Sequence, residues 1–362
     1  MNSNTIQFSE WSYNSTLEEL TFRVDGTKAP VINGIVQTMK NYIPSVGFNT
    51  DEMIIYKNTL ENGKIHNDLL QERLKLIPLH FNRSEIEEPY QKNKYTFTLH
   101  KKNTTNDSIY ATTHDIYIYD FEGNLMSKEF HERIFPKNPI TRDYVLIGYL
   151  QPNEYNTDNG DEVSFRLNAS LGTGKNHTMY EPVSAPRSHF IIDENKAPTD
   201  VRPIYRKQYY IKDEEGDASA FGVGLESING WKPWEIVERS FDELVYLLDS
   251  LKNDTIEIIH EEEKRVRLIS TRLEQRHLRI LQKMSIVQER QSYVKGTQLP
   301  KIRYMGINIP HQTVEKAFVE YTAEDLSTNI TDMHDLIDNT KSYIMNCKQI
   351  FCQFSETNKP SV

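Results

Sequence analysis

In the run Gly172-Thr173-Gly174-Lys175-Asn176, glycine, threonine and lysine meet much as they do in phosphate-binding loops. A loop that cradles nucleotide phosphates needs a glycine five positions before its Gly-Lys pair and a Ser or Thr directly after it for magnesium; Ala169 and Asn176 stand there instead. The spacing predicts a tight turn exposing Lys175 and His177, with a nucleotide-binding enzyme using Gly172 to Lys175 as the alternative. The stretch Thr157 to Glu162 hints at a calcium loop, but Tyr155 occupies its first ligand position and no glutamate stands at the twelfth. None of the 11 histidines lies within five positions of another, and the two cysteines, Cys347 and Cys352, cannot complete a four-ligand zinc site. Asp213, Glu214, Glu215 and Asp217 could hold a cation or form a solvated loop tip. No nucleophile, base and oxyanion donor come together, so no catalytic residue, metal or cofactor is expected.

The elements that would position these groups are legible from periodicity. Leu20, Phe22 and Val24 alternate as a strand. Pro30 opens a helix whose apolar positions Ile32, Ile35, Val36, Met39 and Ile43 recur at helical spacing before Pro44. A short strand over 53–56 and a helix over 67–74 follow. From 83 to 161 the texture is aromatic and β-branched with frequent Asn, Gly and Pro, which predicts a β-rich insert. Further strands are expected over 162–167, 204–211 and 221–225. Val237, Phe241, Leu244, Leu248 and Leu251 then form an apolar helical stripe, and 252–263 is polar enough to suggest a solvated linker.

Beyond residue 254 the order of strand, helix, strands and long helix recurs. Ile280 and Met284 belong to the stripe of a helix rich in basic residues. Counting from Lys264 to Arg290, this basic region includes Arg272, Arg276, Arg279 and Lys283, and it suits an acidic partner, nucleic acid or plain solvent. Strands over 302–309 and 317–321 flank Pro310 and His311. In the last helix Ile330, Met333, Ile337, Ile344, Cys347 and Phe351 keep four-three spacing. The class expected is α+β, with a discontinuous first module over 1–82 and 162–253, the insert over 83–161, and a second module over 254–362. Striped helices on one side of a sheet need a second layer to cover them. The shared core should therefore hold Ile35, Met39, Val237, Phe241, Leu244, Leu248, Ile280, Met284, Ile330, Ile337, Ile344 and Phe351.

The 362 residues carry 42 basic and 52 acidic side chains, a net charge of −10, which argues against a general phosphate-binding surface. No apolar run approaches the roughly 18 residues of a membrane span, and no secretion signal is evident. An intracellular protein without membrane contact is expected.

Several segments carry a resemblance. Asn58-Thr59-Leu60 followed by Asp68-Leu69-Leu70-Gln71-Glu72-Arg73-Leu74-Lys75-Leu76-Ile77-Pro78-Leu79 resembles the third-largest subunit of cellular RNA polymerases, kin of the bacterial alpha subunit. The first helix around Asn33, the segment Gly172-x-Gly174-Lys175-x-His177 with Pro182-Val183, and Glu226 to Val237 match further segments of that family. Arg303 to His311 and the long last helix are similar to the small eleventh-type partner subunit. The resemblance implies two alpha-subunit-like dimerisation modules paired within one chain, a fusion found in large DNA viruses of eukaryotes. It implies a non-catalytic assembly platform of a multisubunit DNA-directed RNA polymerase that docks the two largest subunits and small polymerase subunits. Nucleic acid would be touched only indirectly, and the location would be the virion and host cytoplasm. Asn33, Arg73, Lys175 and His177 occupy motif positions and are the implied partner contacts. The cysteine cluster that holds a metal in some relatives is absent.

Overall fold

The computed structural model describes residues 5–87, 94–153, 160–199, 202–271, 273–297, 299–309 and 316–360. Tyr155 and most of the calcium-like stretch, Arg272, Pro310 and His311 lie outside them. The chain begins with β1 (Gln7–Asn14), β2 (Glu19–Asp25), α1 (Ala29–Asn41) and β3 (Ser45–Asn58), then a single turn α2 (Leu60–Gly63), α3 (Asn67–Lys75) and α4 (Arg83–Glu87). Next come β4 (Tyr95–Lys102), β5 (Ile109–Thr112), β6 (Ile116–Asp120), α5 (Lys128–Ile134), β7 (Leu146–Leu150), β8 (Glu162–Gly172) and β9 (Val183–Phe190). After the short α6 (Pro203–Arg206) stand β10 (Ala220–Ser227), α7 (Pro233–Ser250), β11 (Thr255–His260), β12 (Arg265–Ser270), α8 (Gln275–Lys295), β13 (Ile302–Asn308), β14 (Ala317–Ala323) and α9 (Asn329–Asn358).

The class is α+β, with antiparallel sheets throughout. One four-stranded sheet runs β1-β2-β10-β9, a second runs β11-β12-β14-β13, and a third runs β3-β8-β4-β6. Alternation decides which face each sheet buries. Leu20, Phe22 and Val24 of β2 point inward, as do Val266 and Leu268 of β12 and Val319 and Tyr321 of β14. Helices α1, α7, α8 and α9 cover these faces and one another, α1 meeting α7 and α8, and α9 meeting α7 and α8. The buried set that results is one continuous cluster drawing on both ends of the chain.

Two contacts show how closely the helices approach. Gly34 of α1 sits so near Ile280 of α8 that an added Cβ would fall 2.5 Å from the Ile280 Cδ1 atom. Gly34→Val should therefore force the helices apart and cost about 1–3 kcal/mol, read as a lower denaturation midpoint with unchanged slope. Along α7 and α9 the pairs Lys348 with Asp242, Lys341 with Asp249 and Lys252 with Asp338 step in opposite directions, so the two helices run antiparallel. These pairs set register more than stability, since exposed ion pairs contribute at most about 1 kcal/mol.

That antiparallel register corrects one expected core residue. Ile330 is 54% exposed, while Ile337, Ile344 and Phe351 are buried. Lys252, just past the end of α7, reaches Asp338, so Ile330 lies two turns of α9 beyond the helix that would have covered it. The other residues expected in the shared core are all buried.

Three local expectations also change. The polar stretch 252–263 is no free linker, because β11 pairs along β12 and forms a sheet edge. Residues 204–211 hold α6, opened by Pro203, instead of a strand, with only a bridge from Tyr210 to Ile192. The edge strand β1 escaped notice because only Ile6 and Phe8 of its stretch are fully buried. The strands of 83–161 do not form their own closed layer either: β8 pairs with both β3 and β4, so the third sheet joins the insert to its flanks.

Candidate functional site

The glycine-lysine turn is built by packing. Strand β8 ends at Gly172, where an added Cβ would lie 2.4 Å from the Tyr180 ring; at Gly174 it would lie 2.3 Å from the Lys40 carbonyl oxygen. The backbone N–H groups are already committed: Lys175 donates to the Asn41 carbonyl (2.9 Å), and Asn176 and His177 both donate to the Thr173 carbonyl (2.8 and 3.3 Å). Only a three-residue helical turn, Thr178–Tyr180, follows. A phosphate would have to displace these bonds and would find no helix dipole, so the glycines serve close packing, Gly172 against the Tyr180 ring and Gly174 against the end of α1. The Lys175 ammonium lies over the Tyr42 ring, 5.7 Å from its centroid, and His177 Nδ1 accepts from the Met179 N–H at 3.1 Å.

Behind this turn α1 meets the start of α8. The Glu274 carboxylate accepts from Gln37 (2.7 Å), Asn41 (3.1 Å) and the Tyr42 hydroxyl (3.3 Å). Burial, then Glu274, pushes the Tyr42 hydroxyl far above its ordinary range. His277 is fully buried, with Nε2 3.2 Å from Thr38 Oγ1 and its ring edge-on to Tyr42. Because the Thr38 hydroxyl donates to the Gly34 carbonyl, the imidazole must donate from Nε2, which leaves the Nδ1 lone pair without a partner. Burial pulls the His277 pKa down to about 4. A hydroxyl against an imidazole resembles half of a nucleophilic pair, but it is sealed in the core and lacks a group to orient the ring.

Helix α3 adjoins the same turn. Its Leu70 and Leu74 are buried, whereas Leu69 (51% exposed) and Leu76 (68% exposed) flank the half-buried Arg73 on the outer face, at positions i, i+4 and i+7. Arg73 makes no ion pair among the described residues. The Glu72 carboxyl is held low by its hydrogen bond from Lys75, and both α3 and the Thr178–Tyr180 turn pack against β3. Lys175 and His177 are thus together and α3 borders them. Asn33 stands apart, about 12 Å along α1 from Asn41, exposed and accepting from Ser188 Oγ at 3.2 Å.

The acidic loop and the basic helix turn out to be each other's partners. Carboxylate oxygens of Asp213, Glu215 and Asp217 lie within 4.8 Å of one another, a spacing that could suit a cation. The Lys28 ammonium enters the cluster from the start of α1, and Lys283 and Arg290 enter from α8. The hydrogen bond from Lys283 holds the Asp217 carboxyl below its usual range. The tip of the loop, Glu214 to Gly216, is exposed as expected, but three cations already neutralise the cluster at its base. Arg276 is likewise engaged, with the Gln37 side chain, while Arg265 and Arg267 belong to β12 and bind Glu320. Sequence spacing gave no sign of this pairing, because its hydrogen-bonded members lie 66 to 187 residues apart.

Sequence reasoning assigned no role to Leu69 and Leu76, which the structure leaves exposed. Their i, i+7 relation was visible, but two leucines on a short helix are more often core. The chain matches no family model, and no curated protein matches it significantly.

Proposed function

We propose that this chain is a non-catalytic assembly platform of a multisubunit DNA-directed RNA polymerase, a third-type and an eleventh-type subunit fused in one polypeptide and paired face to face. The observation that carries this reading is the burial of helices from both halves in one core, α1 against α8 and α7 against α9. Each of the two sheets is covered by helices of its own half, with α9 also reaching β1, and the two helical layers pack on one another as a pair of alpha-like modules would need; the order of resembling motifs runs the same way. Fusion would then replace a bimolecular association with an intramolecular one at high effective concentration.

On this reading the surface formed by α3, the Lys175 turn and the exposed side of α1 meets the two largest subunits. An exposed leucine pair around a guanidinium with no ion pair among the described residues offers an anchor of the kind that dominates protein interfaces. Small polymerase subunits would bind elsewhere, and the source would be a large DNA virus transcribing in host cytoplasm. The experiment is affinity purification of the tagged chain from cells that produce it. The two largest polymerase subunits are expected to accompany the native chain, with recovery at least tenfold lower for Arg73→Glu. Absence of both subunits from the native preparation would overturn the reading.

A further inference from the structure

The third sheet has one face packed and one face open. Tyr95, Phe97 and Leu99 of β4, Val163, Phe165 and Leu167 of β8, and Ile116 and Ile118 of β6 fill the packed side. The residues between them point outward with no layer of the described chain covering them. Exposure of one polar face of an antiparallel sheet is ordinary, but this outer face is aromatic: Tyr117 is 54% exposed, Tyr56 62% and Phe121 78%.

Cross-strand register arranges these groups in rows. Tyr119 lies opposite Thr96, which lies opposite Asn168; Tyr117 lies opposite Thr98, which lies opposite Arg166. Small threonines at the centre leave a groove of about 730 Å³ between Tyr119 of β6 and Tyr56 of β3, and Tyr117 stands beyond its lining on the same open face. Arg166 projects into it and makes no ion pair among the described residues, and Lys94 lines one end. The one acid on the rim, Asp120, is turned to its own loop, where the Glu122 and Asn124 N–H groups and the Asn124 side chain hold it.

We propose that this groove binds single-stranded nucleic acid directly. Tyrosines two apart on a strand lie about 7 Å from each other on one face, so Tyr117 and Tyr119 can each take a base. Arg166, without an ion pair among the described residues, and Lys94, whose ammonium lies 5.8 Å from the Tyr95 ring centroid, supply the phosphate contacts, and Thr96, Thr98 and Asn168 can hydrogen-bond base edges. A four-stranded antiparallel sheet with stacking aromatics and a nearby guanidinium is a recurring solution to this task. A duplex does not fit, because its bases are already stacked and only a flat phosphate surface would help. The polymerase reading implied only indirect contact, and the groove does not depend on that reading.

The test uses the full chain and a fluorescein-labelled oligouridine of ten nucleotides, followed by anisotropy at 50 and 200 mM salt. Saturable binding is expected, weaker at higher salt, and at least fivefold weaker for Tyr119→Ala and for Arg166→Glu; an unlabelled duplex should not compete. Both positions face solvent, so an unchanged Tm for each variant separates lost contact from lost fold. No saturable binding, or binding that both variants leave intact, would overturn the proposal. So would protection of Tyr117 and Tyr119 from chemical modification in the purified native complex that nuclease treatment does not remove, since a protein would then occupy the face.

Discussion

Phe351→Ala should lower the unfolding free energy by about 3–5 kcal/mol, measured as a shift in denaturant midpoint. Phe351 is fully buried in α9, and its ring meets Phe8 at 5.4 Å, Phe22 at 5.4 Å, Phe241 at 6.0 Å and Trp11 at 6.4 Å. One side chain therefore ties β1, β2, α7 and α9 together. Truncation removes aromatic area and leaves a cavity that four separate elements would have to collapse together. A Phe351→Leu variant, which keeps most of the apolar volume, should lose less than half as much. Equal loss in the two variants would mean that the aromatic contacts, and not plain apolar burial, carry the effect.

Stability should also fall steeply in mild acid. Burial lowers the pKa of His277 to about 4 and that of His80 to about 4, from an ordinary 6.5. Each imidazole is neutral in the fold but takes a proton in the unfolded chain once the pH drops below 6.5. The unfolded state then binds more protons, so stability declines as pH falls from 6.5 toward 4. The full effect is about 3 kcal/mol for His277, with a smaller one for His80, whose side chain is not completely covered. Urea titrations at pH 7, 6, 5 and 4 would measure it. In His277→Leu the slope between pH 6.5 and 4 should shrink by that share, because the group that titrates differently in the two states is gone. A wild-type curve flat across this range would refute the assignment.

His277 also illustrates what sequence could and could not tell. Its spacing of three and seven residues from Ile280 and Met284 puts it on their apolar stripe. That its neighbour is Thr38, 239 residues away, and that one ring nitrogen has no partner, depends on how α1 and α8 cross. The same holds for Ile330. Periodicity placed it on the face of Ile337 correctly, but whether a face is covered depends on where the opposing helix ends.

The candidate surface follows that division. Asn33, Arg73, Lys175 and His177 were selected by motif resemblance, and only tertiary structure brought Lys175 and His177 together at the end of α1, set α3 beside them and left Asn33 apart. The glycines at 172 and 174 posed a question about phosphate that spacing alone answered in the negative; the backbone supplied the reason, since the turn's N–H groups are already bound to α1 and to Thr173.

What the sequence by itself determined is local: the strands and helices whose apolar residues repeat every two or every three to four positions, the absence of a cysteine framework, and the lack of a long apolar span. These depend on residues close along the chain. What only the tertiary structure decided is long-range: that β3 and β8 share a sheet with the insert, that an aromatic face of that sheet stays open, and that the acidic loop near 215 neutralises the basic helix near 285. Charge and stacking act through space, and the chain brings these groups within reach only after its helices have found one another.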